Sequence, residues 1–518
     1  MEIYEGAASN LELEEPTYDE INEIIKNMKS NKAAGPDDIL PEFIKNGGLI
    51  LKQKLHQLLL KIWKQEKMPG EWSEGILCPI YKKGDKKQCN NYRGISLLNT
   101  TYKIFAILLY NRLSKLIKPE IGNYQMGFRP NRSTIDNIFM VRQIYEKCHE
   151  YNIDLHNIFI DFSQAFDTVN RDIIYTSLIK YNIPDKLIKL IKLTMQHTKM
   201  KVKVNNSYSE WFETKTGVRQ GDPLSALLFS VVLDSVITNL EPRGNIATRL
   251  KQICAYADDI VIIGRTKQAI SDTFCKLKQE ALKAGLIINN NKTKYLHCTR
   301  RTIHPTHINI GKEQFEQVNS FKYLGAMVNI DSSIEEEIKE RITAGNKAYH
   351  VHKKLFTSKL ISRNVKLHLY NTLIRPIVTY ASETWVLKES MIKKLMIFER
   401  KIMRKIVGPT RSEDGYWRIK TNQEINDILK GKNIIGFIKK QRSNWLGHVE
   451  RMNEDNNVKK IYRWKPIAKR PIGRPKLRWE DDVSEDIKSL NVRNWKNETQ
   501  DRERWKKVVE QARTLYRL

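Results

Sequence analysis

The chain has 518 residues, with 89 Lys+Arg against 59 Asp+Glu and hence a formal charge of +30 at pH 7. A hydrophobic content of 41% excludes a wholly disordered chain, and no run approaches the roughly 18 consecutive apolar residues that cross a bilayer. Six Cys are too few and too scattered for a disulfide scaffold, and a folded chain this basic points to a polyanionic partner, nucleic acid before an acidic membrane.

The opening residues, MEIYEGAASNLELEE, are acidic and lack an apolar h-region, which argues against a secretory signal and for an intracellular protein. Residues 14–29 read as an amphipathic helix with Ile21, Ile24, Ile25 and Met28 on one face. Gly-Pro and Asp-Asp then punctuate a loop over 31–39, and a second helix spans about 49–63, stopping before Pro69-Gly70. Strand-like residues 76–81 run into a basic turn, Lys82 to Lys87. The middle third alternates strands and helices. Ile158-Phe159-Ile160 is a short apolar strand leading into Asp161, and an apolar helix over 224–236 follows Gly221-Asp222-Pro223. Residues 253–263 read as strand, tight turn, strand, with Asp258-Asp259 as the turn; a helix over 269–283 then ends at Gly285. From about residue 334 long basic helices take over, one of them marked by Leu387, Met391, Leu395, Phe398, Ile402 and Ile406 and ended by Gly408-Pro409. The rest is basic and carries Trp417, Trp445, Trp464, Trp479, Trp495 and Trp505. These changes of character divide the chain near 155, 310 and 405.

Two acidic positions stand out because apolar strands deliver them: Asp161 at a strand end, and Asp258 with Asp259 between two strands. Carboxylates beside an apolar core are costly unless a cation neutralises them. Hard oxygen ligands suit Mg²⁺, and two such ions about 4 Å apart can activate a hydroxyl and stabilise the leaving oxygen of an in-line phosphoryl transfer. An Asp-Asp pair alone is weak support, since surface turns often carry one.

The surrounding blocks narrow the reading. Asp161 lies in FIDFSQAFD (159–167), the acidic pair lies in YADD (256–259), and TGVRQGDPLS (216–225) falls between them. In order and spacing these resemble motifs A, B and C of a reverse transcriptase palm. NYRGISLL (91–98), QMGFRPNRST (125–134), GLIINNNKTK (285–294) and FKYLGAMV (321–328) agree, and together resemble the polymerase of non-LTR (LINE-type) retrotransposons over roughly residues 15–400. The resemblance implies an α+β, right-hand polymerase: N-terminal helices and fingers (1–155), an antiparallel-sheet palm with finger elements (156–310), a primer-grip hairpin and helical thumb (311–405), and a basic, mainly helical C-terminal extension (406–518). The implied activity is RNA-directed DNA polymerase, extending a primer 3′-hydroxyl with deoxynucleotides. The alternative is an inactive or co-opted RNA-binding protein that keeps the fold.

By the same resemblance, Asp161, Asp258 and Asp259 are the catalytic carboxylates and, with the backbone carbonyl of Phe162, the ligands of two Mg²⁺ ions, with Mn²⁺ as a substitute in vitro. Lys82 and Arg93 would hold the triphosphate, with Lys83 and Lys86 as rivals of Lys82. Phe166 would close the pocket beside the sugar and collide with a ribose 2′-hydroxyl, while Gln220 and Gly221 approach base and sugar. Lys292, with Lys294 as its competitor, would protonate the pyrophosphate leaving group. Arg129 and Asn131 would contact template, and Phe321, Tyr323 and Leu324 belong to the primer grip. Arg219 is left open between template backbone and solvent.

From residue 401 onward 30 Lys+Arg face 16 Asp+Glu. The run KPIAKRPIGRPKLR (465–478), followed by Trp479, offers Lys469, Arg470, Arg474 and Arg478 as phosphate contacts beside aromatics. The opposing reading makes the tryptophans helix-packing anchors on a solvated basic surface. The partners implied are an RNA template, a DNA primer or target and deoxynucleotides, with no membrane, in a cytoplasmic ribonucleoprotein or the nucleus. No Cys lies beyond Cys298, so this tail cannot build a zinc knuckle. The polymerase blocks begin close to Met1, which reads as a polymerase piece without the family's N-terminal endonuclease.

Overall fold

The computed structural model describes residues 13–240, 251–301, 307–473, 478–492 and 494–512. Its centre is a six-stranded sheet, the palm, in the order His307–Ile310, Glu313–Gln317, Lys294–Cys298, Leu155–Ile160, Asp259–Gly264, Lys251–Tyr256. The strands pair antiparallel except Lys294–Cys298 with Glu313–Gln317, which run parallel. The sheet is the expected antiparallel one but for that one pairing.

Strand periodicity explains why the two central strands read as unbroken apolar runs. Successive residues face opposite sides: Ile158, Ile160, Ile260 and Ile262 join one buried cluster, Leu155, Phe159, Val261 and Ile263 a second. Helices Thr100–Ile117, Ser225–Thr238 and Lys267–Lys283 cover the first side. Thr134–Glu150, started by a Ser133–Asp136 capping box, covers the other. A sheet buried on both faces leaves its carboxylate chemistry to the strand ends.

A smaller sheet forms the fingers. Glu74–Tyr81 pairs antiparallel with Tyr92–Leu97 on one side and parallel with Lys199–Val204 on the other; the short strands Ser207–Tyr208 and Phe212–Glu213 turn back on the latter. The N-terminal helices Tyr18–Asn27 and Leu49–Gln65 lie inside the sequence-derived spans or within a few residues of them, with Ile21, Ile24, Ile25 and Met28 buried. The thumb has its own core, in which Leu387, Met391, Leu395, Phe398, Ile402 and Ile406 are all buried, the last five along helix Glu389–Val407.

The C-terminal region does not stand apart. Trp445, Trp464, Trp479 and Trp505 are buried in the same cluster as Phe139, Phe159 and Leu296 of the palm side. Phe139 meets Trp479 edge-on at 4.8 Å and Trp445 at 5.6 Å. The Trp479 indole donates to the Glu383 carbonyl (2.8 Å), and that of Trp505 to the Ser443 carbonyl (3.0 Å). Four of the six tryptophans are thus packing anchors, whereas Trp417 is exposed.

Candidate active site

The register of the two central palm strands makes the site. Ile160 stands opposite Ile260, so the next step along each strand brings Asp161 beside Asp259. Tyr256 pairs with Asp259, which puts Ala257 and Asp258 at the tip of the turn. The turn is therefore Ala257-Asp258, one residue earlier than the sequence suggests, and Asp259 opens the strand. Ala257 takes a left-handed φ of 54° that a residue with a Cβ adopts only under constraint.

That constraint comes from the QMGFRPNRST block. The Gln125 side-chain oxygen accepts from the amides of Gly127 (2.9 Å) and Ala257 (3.1 Å), and Met126 N donates to the Ala255 carbonyl at 2.9 Å. Asn137 donates to the same carbonyl at 3.0 Å. A Cβ on Gly127 would lie 2.4 Å from Ala257 N, so this backbone approach needs glycine. Sequence reasoning gave this block a template contact and missed the positioning role of Gln125, Gly127 and Asn137. In the same block the Arg129 guanidinium donates to the carbonyls of Gly122 (2.9 Å), Gln125 (3.2 Å) and Lys118 (3.2 Å), which ties the loop together. Asn131, exposed, takes a left-handed φ of 59° in the turn after Pro130.

The carboxylates are poorly neutralised. Burial, then the neighbouring Asp258 and Asp161, push the Asp259 carboxyl up to about 6. Asp258 is raised too, first by burial and then by Asp161, against the opposing charges of Arg93 and Lys292. Asp161 Oδ2 is buried without a hydrogen-bond donor, although Lys292 Nζ lies 3.2 Å away as an ion-pair partner. Among the described residues no group of three His, Cys, Asp or Glu side chains is arranged to hold a metal ion, so the expected ligand set is adjacent but not closed. Three carboxylates brought together, two of them held above their ordinary range, are nevertheless what a hard divalent cation would relieve, and the all-oxygen donor set fits Mg²⁺. Phe162, whose carbonyl completes that expected set, pairs with Ile288 across a two-residue strand, its ring buried.

The neighbours sort themselves by partner. Lys292 faces Asp161, whereas its rival Lys294 is engaged by Glu316 at 2.7 Å and the Asn291 carbonyl at 2.6 Å. Arg93 and Lys82 are exposed on the fingers, Arg93 acting on Asp258 and Lys82 on Asp167. Asp167 also takes a hydrogen bond from the Gln220 side chain. Gly221 has a φ of 119°, and a Cβ there would lie 2.6 Å from the Ser96 carbonyl oxygen, so the motif B turn docks against the strand that carries Arg93. The Gln220 carbonyl accepts from Ser96 N at 2.6 Å across the same contact. Phe166 is half-buried, stacked on Phe229 (4.6 Å) and edge-on to Phe128 (6.2 Å). Arg219, left open between template backbone and solvent by the sequence, is buried, paired with Asp222 at 3.0 Å and stacked over Tyr102.

The hairpin Ser320–Tyr323 and Ala326–Asn329 turns on Leu324-Gly325, both at positive φ. Phe321 stacks on Phe159 at 4.3 Å, Tyr323 is buried near Asp259, and the Leu324 carbonyl accepts from Tyr380. These residues hold the hairpin against the palm. The exposed side chain there is Lys322, which sequence reasoning missed; with Asp161, Asp259, Lys292 and Phe321 it lines a cleft of about 360 Å³.

Of the C-terminal candidates, Lys469 is exposed, but Arg470 and Arg478 both clasp Glu150, at 2.9 and 2.5 Å. Two of the four expected phosphate contacts are thus committed to a carboxylate of the palm-side helix. Arg474 lies outside the described residues.

Residues 80–328 match the family model described as "Reverse transcriptase (RNA-dependent DNA polymerase)". A putative transposon-derived protein of Caenorhabditis elegans is 26% identical over 50% of this chain and 95% of its own length. The RNA-directed DNA polymerase from mobile element jockey of Drosophila funebris is 24% identical over 76% of this chain, which spans 44% of that protein. Among solved structures, a telomerase from Candida tropicalis, in complex with a telomeric RNA fragment, aligns over 83% of this chain and 72% of its own at 12% identity and a TM-score of 0.40.

Proposed function

We propose that this chain, whose residues 80–328 form a reverse transcriptase domain, is the RNA-directed DNA polymerase of a non-LTR retrotransposon, extending a primer 3′-hydroxyl with deoxynucleotides on an RNA template. The observation that carries the reading is the convergence of Asp161, Asp258 and Asp259 at the ends of buried palm strands, where burial and the neighbouring acids raise the carboxyls of Asp258 and Asp259.

In this reading the three carboxylates and the Phe162 carbonyl hold two Mg²⁺ ions. When bound, such ions activate the attacking hydroxyl and stabilise the oxygens of the phosphoryl group. The chain's own groups position and neutralise. Arg93 and Lys82 hold the triphosphate, Arg93 by the planar, permanently charged fork that suits phosphate oxygens. Phe166, braced by Phe229, closes the space beside the sugar, and Gln220 and Gly221 shape the floor beneath the base. Lys292, beside Asp161, holds a proton for the departing pyrophosphate. The hairpin at Phe321, Tyr323 and Leu324 sets the primer end, with exposed Lys322, 3.6 Å from Glu340 across a surface ion pair, the side chain that meets its backbone. Asn131 and Lys469 remain as outer contacts to nucleic acid. The division into fingers, palm, thumb and C-terminal region, and work in a cytoplasmic ribonucleoprotein or the nucleus, belong to the same reading. No described helix is long and apolar enough to cross a membrane.

The test is primer extension. Purified chain receives a primed RNA template, deoxynucleotides and Mg²⁺, with Asp258→Asn alongside. Extension by the parent alone supports the polymerase; tight RNA binding without extension would instead favour a binding protein that retains the fold.

A further inference from the structure

One face of the fingers sheet carries a second set of nucleic-acid chemistry away from the carboxylates. Ile80 stands opposite Arg93 in the antiparallel pairing, and Ile76 opposite Lys201 in the parallel one. Paired residues point to the same side and alternate residues share it, so Arg93, Ile80, Cys78, Lys201 and Lys203 lie on one face. Lys203 in turn stands opposite Tyr208. The Lys201 ammonium lies 4.6 Å from the Tyr208 ring centre and 4.7 Å from that of Trp211, and Lys203 lies 5.4 Å from Tyr208.

These rings are not core. Tyr208 is 48% exposed, Trp211 40%, and Ile80, between them and Arg93, 55%. Acidic groups limit the patch: Glu74 and Glu213 stand opposite Lys199 on its two sides, and Asp38 acts on Lys203. Lys201 and Lys203 are therefore the cations that matter. A duplex keeps its bases stacked inside and offers such rings nothing, whereas an unpaired strand offers both base faces and phosphates.

We propose that Tyr208, Trp211, Lys201 and Lys203 form a landing platform for an unpaired nucleic-acid strand, the RNA template ahead of the site, with bases stacked on the two rings and phosphates on the two lysines. That the strand is the template rests on the polymerase reading; that it is single-stranded rests on the platform itself.

The experiment measures affinity of the full chain for a fluorescent primer–template duplex, flush-ended or with a 5′ unpaired RNA overhang, across a salt series. Parent chain is expected to prefer the overhang. Tyr208→Ala with Trp211→Ala should cut that preference by about tenfold or more, as base–aromatic stacking requires. Lys201→Ala with Lys203→Ala should flatten the salt slope for the overhang form by about 1.4, the value for two single-strand phosphates. Photocrosslinking from a thiouridine in the overhang should map to residues 199–213, a readout that needs no variant. An unchanged preference in both double variants, or crosslinks only elsewhere, overturns the platform. A parent that prefers the overhang in this way yet never extends the primer refutes the polymerase reading and leaves the platform standing.

Discussion

The palm strand ends and the C-terminal region handle buried charge in opposite ways. In the C-terminal region opposite charges meet: Arg442, fully buried, is paired with both Asp482 and Asp486, and Glu150 is held by Arg470 and Arg478. Lys147 donates to the carbonyls of Ile461, Tyr462 and Trp464 at 2.8, 2.6 and 2.7 Å. In the palm like charges meet: Asp258 and Asp259 are both raised beside Asp161, and Lys292, 3.2 Å from Asp161, is the one ion-pair partner of the three among the described residues. The first pattern holds a fold together; the second stores repulsion that only a ligand relieves. A basic stretch of sequence is thus not automatically a binding surface, and the informative charges are those the fold leaves unbalanced.

Substitutions should separate the two patterns. The largest effect is expected at Asp258→Asn, where primer extension falls at least about a thousandfold, because cation-held charge stabilisation is worth several kcal/mol. Its melting temperature should stay level or rise, since a mutual repulsion is removed. Arg442→Ala should do the reverse and lower stability by about 3–5 kcal/mol in denaturant titration, because Asp482 is left buried without its cation and Asp486 keeps only Lys439. Equal effects of the two changes on stability would erase the contrast. Gly127→Ala forces the backbone at Ala257 to move and should cost extension about a hundredfold with RNA affinity retained, read as kcat against Kd. Phe166→Val should raise ribonucleotide incorporation about tenfold relative to deoxynucleotide; unchanged sugar selectivity would remove the gate.

The smallest effect is a pH dependence far from the site. His156, stacked on His297 at 4.3 Å, is held down to about 4 by burial and by the neighbouring imidazole. Its folded pKa lies below the ordinary value of 6.5, so the unfolded chain takes up the proton first. Stability should therefore fall as pH drops from about 6.5 towards 4, and His156→Gln should flatten that part of the denaturation profile.

What the sequence made legible follows from local physics. The apolar runs that end in Asp161 and begin after Asp258 are written in consecutive residues, as is the helical stripe from Met391 to Ile406. What it hid depends on distant partners. Arg129 and Arg219 look like surface cations until the carbonyl of Lys118 and the carboxylate of Asp222 are seen to receive them. The buried tryptophans read equally well as stacking platforms or anchors, and only Phe139, nearly 340 residues upstream of Trp479, settles which. The exposed pair that the sequence did not single out, Tyr208 and Trp211, stands in the fingers because strand Lys199–Val204 joins that sheet in parallel, a crossover no local pattern announces.

The central claim is that the palm carboxylates gather divalent cations. Mn²⁺ titration of the full chain on a primed RNA template, followed by electron paramagnetic resonance, tests it most directly. The parent should take up Mn²⁺ with Mg²⁺ competing for the same sites, and Asp258→Asn should lose that uptake while still holding the RNA. Identical Mn²⁺ uptake by parent and variant would contradict the account.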